Sequence, residues 1–184
     1  MSKPGRPAHR LGAFAAALLC AAALAPPLGR EAAADDDWQA CLSSDSEQAI
    51  AGCTRVIGSR RVRRSNLSAA HYNRGLAYRD KRLFDQAIAD FSEAIRLDPK
   101  NARAHYQRGN IHADLGESHD LAIADYDIAI RLDPRFVFAY NARGLMHEAK
   151  GDIARAAADY RAALSLDPSL TLIRQRLEGL EAGG

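Results

Sequence analysis

The tripeptide Leu-Asp-Pro at residues 97–99 returns twice further along the chain, at 132–134 and at 166–168. Each copy closes the same upstream pattern, and the three prolines, Pro99, Pro134 and Pro168, are almost evenly spaced. A period of about 34 residues, with apolar residues at helical spacing inside it, indicates stacked helical hairpins. In such an array each hairpin contacts only its neighbours, so function is expected on an extended surface rather than in an enclosed pocket.

Small and aromatic residues recur at matched positions of three repeats, which begin at Ser68, Ala102 and Val137. Small residues let two helix backbones approach closely, and one aromatic ring for each hairpin fills the remaining space. The pattern therefore predicts an all-α fold of packed helix pairs. In each repeat a glycine, an alanine, an aromatic residue and a second alanine follow one another: Gly75, Ala87, Phe91 and Ala94; Gly109, Ala122, Tyr126 and Ala129; Gly144, Ala156, Tyr160 and Ala163.

This signature resembles the tetratricopeptide repeat, whose glycine, tyrosine, alanine, phenylalanine, alanine and proline are carried in the first copy by Gly75, Tyr78, Ala87, Phe91, Ala94 and Pro99. The resemblance implies an α-solenoid of antiparallel helix hairpins wound into a right-handed superhelix. We expect a degenerate hairpin and linker at 35–67. Three repeats follow at 68–101, 102–136 and 137–170, and a capping helix and tail at 171–184.

The residue before a proline resists the α conformation, so each Leu-Asp-Pro is expected to end a helix. The spacing predicts helices over 66–81, 84–97, 101–115, 119–132, 136–150 and 153–166. An amphipathic segment at 170–180 is expected to cap the stack. In the degenerate hairpin we expect a first helix over 37–42, carrying Trp38 as a packing anchor, and a second over 46–59.

Position seven of each repeat is an arginine, where the family normally has an apolar residue: Arg74, Arg108 and Arg143. An aspartate follows after sixteen or seventeen residues in every copy: Asp90, Asp125 and Asp159. An antiparallel hairpin brings these two positions together, so we predict one ion pair inside each hairpin. Its role is expected to be structural, with only modest stabilisation if the pair is exposed.

The segment 1–34 reads as a bacterial secretory signal peptide. A basic start with Lys3, Arg6 and Arg10 precedes the uncharged apolar stretch Leu11–Ala25, and alanines at 32–34 offer a cleavage site before Asp35. We therefore predict a periplasmic or secreted protein with no stable membrane anchor after cleavage. A retained anchor is the less favoured alternative, because the apolar stretch is shorter than the roughly 20 residues that span a bilayer.

Two cysteines, Cys41 and Cys53, remain outside the predicted signal peptide. They fall on the two facing helices of the degenerate hairpin. An even number of cysteines in an oxidising compartment favours pairing, so we predict a disulfide between them.

Charge gives no indication of nucleic-acid binding. Without the segment 1–34 the chain has 21 basic and 22 acidic residues, and it carries no phosphate-binding or base-stacking motif. One basic run, Arg60, Arg61, Arg63 and Arg64, lies between the degenerate hairpin and the first repeat. It is interpreted as a solvated linker, with a weak contact to an anionic surface as the alternative.

No sequence motif points to catalysis or to a cofactor, so we expect a protein that is not an enzyme. His112 and His147 recur in register between repeats. No cysteine or repeated carboxylate completes a metal shell around them, so we expect them to pack beside the hairpin core and predict no metal site.

The resemblance implies that the first helix of each hairpin lines a concave groove, with positions two, five, six, nine and twelve facing it. Aromatic and amide side chains at these positions suit a short peptide or a partner's helix. Relatives that grip chaperone carboxylates use a lysine where this chain has Tyr72, Tyr106 and Asn141, so that function is not expected. The predicted groove comprises Tyr72, Asn73, Leu76, Arg79, Arg103, Tyr106, Gln107, Asn110, Phe138, Asn141 and Leu145.

The sequence thus predicts an exported adaptor or scaffold that binds a peptide segment or helix of a partner protein. The alternative is a self-associating structural protein of the cell envelope, which would use an exposed face of the solenoid or the basic run at 60–64.

Overall fold

A computed structural model describes residues 28–60, 62–116 and 118–182, with side chains from Asp35 onward. Over these residues the chain forms nine α-helices and no strand, so the predicted all-α fold is confirmed. Within the same residues, no helix is both long and apolar enough to cross a bilayer. The helices are α1 Leu28–Cys41, α2 Ser46–Gly58, α3 Arg64–Asp80, α4 Phe84–Leu97, α5 Ala102–Leu115, α6 His119–Leu132, α7 Val137–Ala149, α8 Ile153–Leu166 and α9 Thr171–Ala182.

Consecutive helices pack as hairpins, α1 with α2, α3 with α4, α5 with α6 and α7 with α8, and α9 packs on α8. We call α1, α3, α5, α7 and α9 the A helices, and α2, α4, α6 and α8 the B helices. The A helices α1, α3, α5 and α7 also contact one another in sequence. The A helices therefore form the inner side of the solenoid, as predicted from the resemblance.

Helices α4, α6 and α8 have the predicted bounds, α5 starts one residue late and ends as predicted, and α3, α7 and α9 differ from theirs by one or two residues at each end. The prediction for α1 is wrong at its start, because this helix begins at Leu28 rather than at Asp37. The intervening sequence contains Glu31 and three alanines, which are strong helix formers.

The helical start of α1 overlaps the predicted signal peptide. Residues 1–27 of that segment lie outside the described residues, while residues 28–34 form the first half of α1. The cleavage site predicted after Ala34 therefore falls within a helix.

The repeated Leu-Asp-Pro ends the B helices α4, α6 and α8 and starts the turn to the next A helix. The leucine is the last helical residue, and the aspartate has an extended backbone. The side chain of each aspartate then accepts a hydrogen bond from the backbone N–H two residues later: Asp98 from Lys100, Asp133 from Arg135 and Asp167 from Ser169. Aspartate is suited to this turn because its short carboxylate reaches its own backbone.

Each complete hairpin is closed by a glycine on its A helix that faces an aromatic ring on its B helix. A Cβ atom on Gly109 would lie only 2.8 Å from Cε1 of Tyr126, and Gly75 and Gly144 face Phe91 and Tyr160 in the same way. The three rings are at most 1% exposed, so they have no free space to move into. Glycine is therefore required at these three positions, because any side chain would collide with the facing ring.

The first hairpin is closed differently. Cys53 stands at the position of the aromatic ring, and it forms a disulfide of 2.00 Å with Cys41, the partner predicted from the sequence. Gly52 replaces the aspartate of the other hairpins, and a Cβ atom there would lie 2.4 Å from the backbone nitrogen of Cys41. The α1 and α2 backbones thus approach so closely that neither a ring nor an Arg–Asp pair fits between them.

Helix α9 continues the register of the A helices but lacks their glycine. Glu178, which is exposed, stands one repeat period after Gly144. Leu177, in the place of the repeat arginine, is buried with Ile173 against Ala156, Tyr160 and Ala163 of α8. Helix α9 therefore covers the apolar face of α8. Because it lacks the glycine, it leaves no space for another aromatic ring.

Candidate functional site

An arginine of the A helix binds an aspartate of the B helix in each of the three complete hairpins. Arg74 donates from Nε and Nη2 to the two carboxylate oxygens of Asp90, at 2.7 and 2.9 Å. The pairs Arg108–Asp125 and Arg143–Asp159 have the same two-bond geometry, with distances of 2.6 to 2.9 Å. The predicted ion pairs are confirmed. They are not the exposed kind, however, because the three aspartates are only 4% to 5% exposed.

Histidines add a further bond to two of these aspartates. His71 Nδ1 lies 2.8 Å from Asp90 Oδ1, and His105 Nδ1 lies 3.2 Å from Asp125 Oδ1. Burial alone would raise the pKa of both carboxyls, but the hydrogen bonds and charges of the neighbouring histidine and arginine lower each pKa below its ordinary value of 3.8. These aspartates are therefore held in the ionised form.

The same arginines also reach the preceding hairpin. Through Nη1, Arg74 donates to Thr54 of α2, Arg108 to Ser92 of α4 and Arg143 to Asp127 of α6, at 2.5 to 3.0 Å. Each guanidinium thus joins three helices: its own, its hairpin partner and the B helix before it. Because this bond crosses between repeats, it fixes how one hairpin sits on the next, and so shapes the concave face.

Aromatic residues of the predicted groove in the first two repeats are engaged inside the protein. Tyr72 packs against Phe91 with ring centroids 5.7 Å apart. Tyr106 lies against Tyr126 at 5.8 Å and against Phe136, from the turn before α7, at 4.9 Å. Leu76 packs with Phe91 in the same apolar cluster. These side chains are half-buried, and their main contacts are with residues of neighbouring helices and turns.

Polar groove residues of these two repeats form a chain of hydrogen bonds. Arg79 Nη1 donates to Gln107 Oε1 at 2.7 Å, and Tyr126 donates its hydroxyl proton to Asn110 Oδ1 at 2.9 Å. The Asn110 amide also lies 3.4 Å from Gln107 Oε1. Arg103 is exposed and Asn73 is half-buried. Three of the five polar groups that we predicted to bind a peptide are therefore already bonded to one another.

The third repeat is different, because its predicted groove residues line an open cleft. Phe138, Asn141 and Leu145 of α7 face the cleft, which has a volume of about 450 Å³. Its opposite wall is the turn before α9 and the first part of that helix, including Leu172 and Arg176. Phe138 is 63% exposed and Leu172 is 79% exposed. Two large apolar side chains thus remain available at one end of the concave face.

The contribution of α9 to this cleft was missed from the sequence, which assigned the segment only a capping role. The signal was present, since Leu172 lies one repeat period after Phe138 and therefore occupies position two of an A helix. By the same count Arg176 occupies position six.

A second polar chain holds α9 against α7 beside the cleft. Tyr160 donates its hydroxyl proton to Glu148 Oε2 at 2.6 Å, and Arg176 Nη1 donates to the same carboxylate at 3.1 Å. The hydrogen bonds from Tyr160 and Arg176 lower the pKa of Glu148, while burial and the neighbouring Glu148 raise the pKa of Tyr160. The carboxylate is thus kept ionised, and it links three helices.

No group of three or more histidine, cysteine or carboxylate side chains within the described ranges is placed to hold a metal ion. His112 is half-buried, and His147 is 6% exposed. Burial lowers the pKa of His147 below its ordinary value of 6.5, so this ring is favoured in its neutral form.

Three models of the tetratricopeptide repeat match the sequence, at residues 75–116, 102–136 and 137–170. Together they cover residues 75–170, which are 96 of the 184 residues of the chain. The protein belongs to the tetratricopeptide repeat family. A search of curated proteins finds no match to the sequence.

Solved structures of this family share the fold. MamA residues 41 to the end from Desulfovibrio magneticus RS-1 superposes with a TM-score of 0.71 at 17% identity, over 85% of each chain. The Arabidopsis OM64 TPR domain gives a TM-score of 0.61 at 27% identity, over 64% of this chain and 97% of that one. The first TPR of Spaghetti (RPAP3), bound to an HSP90 peptide, gives 0.62 at 22% identity, over 68% of this chain and 98% of that one.

Proposed function

We propose that this protein is an adaptor that binds a peptide segment or helix of a partner protein in the cleft between α7 and α9. The observation that carries the proposal is the pair of large apolar side chains, Phe138 and Leu172, that stay exposed on the two walls of this cleft. Exposed apolar surface beside polar groups is characteristic of interaction sites. The proposed site is thus shorter than the groove predicted from the sequence, and it includes α9.

The cleft suggests what kind of segment would fit. An apolar side chain of the partner would insert between Phe138 and Leu172, since buried apolar anchors supply most of the energy of small interfaces. Asn141, which is half-buried on the same wall, offers an amide that can both donate to and accept from a peptide backbone. Arg176 is already bonded to Glu148, so we assign it to the support of the cleft rather than to recognition.

The RPAP3 domain supports a peptide as the occupant, because its solved structure contains an HSP90 peptide on the same fold. The details are not expected to carry over. This chain has Tyr72, Tyr106 and Asn141 where the family's clamp for chaperone carboxylates places a lysine. We therefore propose an apolar anchor as the main determinant rather than a terminal carboxylate.

A displayed peptide library selected on the full chain tests this function. A selected peptide, made synthetically, is titrated against the wild type, F138A and L172A, with L121A as control. Leu121 lies on α6, away from the cleft, and is 53% exposed. We expect each cleft variant to bind at least about tenfold more weakly, as truncation of a buried anchor usually does, and L121A to bind like the wild type. Equal binding by F138A, L172A and wild type would refute the site.

Self-association is the second candidate, because the same exposed Phe138 and Leu172 could be covered by another copy of the chain. Light scattering over a range of protein concentrations separates the two. The adaptor proposal requires a monomer that forms a complex with the selected peptide. A dimer or larger assembly that dissociates in F138A would favour the alternative.

We further propose that the protein is exported. The Cys41–Cys53 disulfide supports this, because such bonds persist mainly in oxidising compartments. N-terminal sequencing of the protein isolated from its source organism tests the proposal, with a chain that starts at Asp35 as the expected result. The intact mass should not change on alkylation under denaturing conditions. Alkylation of both cysteines in that protein would contradict export to an oxidising compartment.

A further inference from the structure

The loops of the solenoid lie on two opposite edges. Consecutive helices alternate in direction, so the loops that lead from a B helix to the next A helix share one edge. They follow α2, α4, α6 and α8. With the helix turns that adjoin them, we call this edge the B-to-A rim. The loops within the hairpins, after α1, α3, α5 and α7, form the A-to-B rim.

Six exposed cations of the B-to-A rim form neither an ion pair nor a side-chain hydrogen bond with any residue that the structure describes. They come from the first three loops and the helix ends beside them: Arg60, Arg63, Lys100, Arg103, Arg131 and Arg135. Arg60 and Arg63 of this set belong to the basic run interpreted from the sequence as a solvated linker, and both are exposed. Arg64 donates to the carbonyl oxygens of Leu97 and Arg96 at 2.9 and 3.0 Å, so it caps α4, and Arg61 lies outside the described residues.

The opposite rim differs in its charge pairing. Lys81 binds Glu47, and Lys150 binds Asp120. Arg79 and Arg155 pair with Asp80 and Asp152. Among the basic residues described on that rim, Arg82 alone has no carboxylate partner, and the exposed carboxylates of Asp85 and Asp114 lie on the same edge. Unpaired cations thus outnumber unpaired carboxylates on the B-to-A rim, where Asp98, Asp133 and Asp167 lie in the turns, but not on the opposite rim.

The direction of α1 relates this edge to the apolar stretch Leu11–Ala25. As an A helix, α1 begins at the B-to-A rim, so the residues that precede Leu28 join the folded part there. Only residues 26 and 27 separate the apolar stretch from α1. Both interpretations of the segment 1–34, a removed signal peptide and a retained anchor, imply that the apolar stretch enters a membrane, and both would then bring this rim close to the membrane while the stretch is attached. That relationship favours a bilayer over an acidic protein as the partner.

We propose that the B-to-A rim docks on an anionic lipid surface. Lysine and arginine side chains close to anionic headgroups are each attracted by the surface potential, and six of them on one edge add together. The peptide cleft lies at the turn between α8 and α9, beyond the three basic loops. That turn is the fourth loop of the same rim, but none of the six cations lines the cleft, so the two proposals rest on different side chains and each can fail without the other.

Vesicle sedimentation of the full chain tests the rim, with phosphatidylcholine vesicles compared with vesicles that also contain phosphatidylglycerol. The rim variant is R60Q/K100Q/R131Q/R135Q, which spares Arg103 of the predicted groove and Arg63, the residue directly before α3. The control is K81Q/R82Q/K150Q/R155Q, which removes the same number of charges from the opposite rim. All three proteins share the same N-terminal segment, so its contribution cancels. Circular dichroism establishes that both variants are folded.

We expect the wild type and the control to bind the anionic vesicles more strongly than the phosphatidylcholine vesicles. In the rim variant the ratio of the two affinities should be at least about tenfold smaller. The preference should also fall as salt is added, because exposed charges are screened. Equal loss in the two variants, or no preference for anionic vesicles in the wild type, would overturn the proposal. Rim-dependent binding to poly-glutamate without binding to the vesicles would also overturn it, in favour of an acidic protein. The affinity for the selected peptide should be the same in all three proteins.

Discussion

Arg108 holds the buried carboxylate of Asp125 through two parallel hydrogen bonds of 2.9 and 2.8 Å, while a third bond reaches Ser92 on the preceding hairpin. This one guanidinium therefore joins contacts within a repeat to contacts between repeats. The same arrangement surrounds Arg74 and Arg143. An array built in this way transmits the orientation of each hairpin to the next.

Replacing Arg108 with methionine should destabilise the protein strongly. Asp125 is 4% exposed, and without its arginine the carboxylate would remain buried with only His105 as a partner. Breaking a buried pair in this way typically costs about 3 to 5 kcal/mol. Urea unfolding of R108M measures the loss. The double variant R108M/D125L should recover much of the stability, because it leaves no buried charge, and failure to recover would contradict this explanation.

The protein should lose stability in acid. The pKa values of Asp90 and Asp125 are lowered in the folded state, so the unfolded chain takes up protons first as the pH falls. The stabilisation is complete above the unfolded pKa of 3.8 and is lost as the pH falls through the folded values. Urea unfolding over a series of pH values should show this fall below about pH 4. The decrease in the free energy of unfolding should be smaller in D125N. If the free energy of unfolding of D125N depends on pH in the same way as that of the wild type, Asp125 does not contribute to the acid sensitivity.

Reduction of the Cys41–Cys53 disulfide should loosen the first hairpin more than the others. Its helices have neither a glycine–aromatic contact nor an Arg–Asp pair, and the bond closes a loop with a sequence separation of 12 residues. In the chain-entropy model, a disulfide that closes a loop of this size stabilises the folded state by about 3 kcal/mol. Hydrogen exchange of C41S/C53S should show faster exchange in α1 and α2, with α5 to α8 close to the wild type. Uniform loss of protection would mean that the hairpins unfold as one unit.

Substitution of glycines by alanine should have opposite effects at two positions. At Gly109 the new Cβ would lie 2.8 Å from the buried ring of Tyr126, and overpacking of this kind costs about 1 to 3 kcal/mol. At Gly179, inside α9, nothing lies within 4 Å of the new atom. Alanine there should stabilise by up to about 1 kcal/mol, because it favours the helix. Thermal unfolding of G109A and G179A measures both changes in stability. Equal changes in the two variants would contradict the requirement for glycine beside the Tyr126 ring.

Features that depend on spacing within one hairpin could be read from the sequence. The distance along the chain between Arg74 and Asp90, or between Gly75 and Phe91, is set by two helices and one short turn, so their meeting follows from the helical period. The start of α1 was the exception. The sequence analysis predicted a start at Asp37, whereas the alanines before Asp35 favour a continuous helix that begins at Leu28.

The sequence by itself determined the period, the ends of the helices from α3 onward and the contacts that close each hairpin, because all of these are local. The tertiary structure decided which residues of the predicted groove are free. Gln107 is bonded to Arg79 of the preceding hairpin and Tyr106 packs on Phe136 from the turn before α7, whereas Phe138 and Leu172 are left exposed across a cleft. Which groove residues stay exposed depends on how each hairpin packs on the next. These contacts join residues of different hairpins, and the spacing of such residues along the chain does not determine whether they meet.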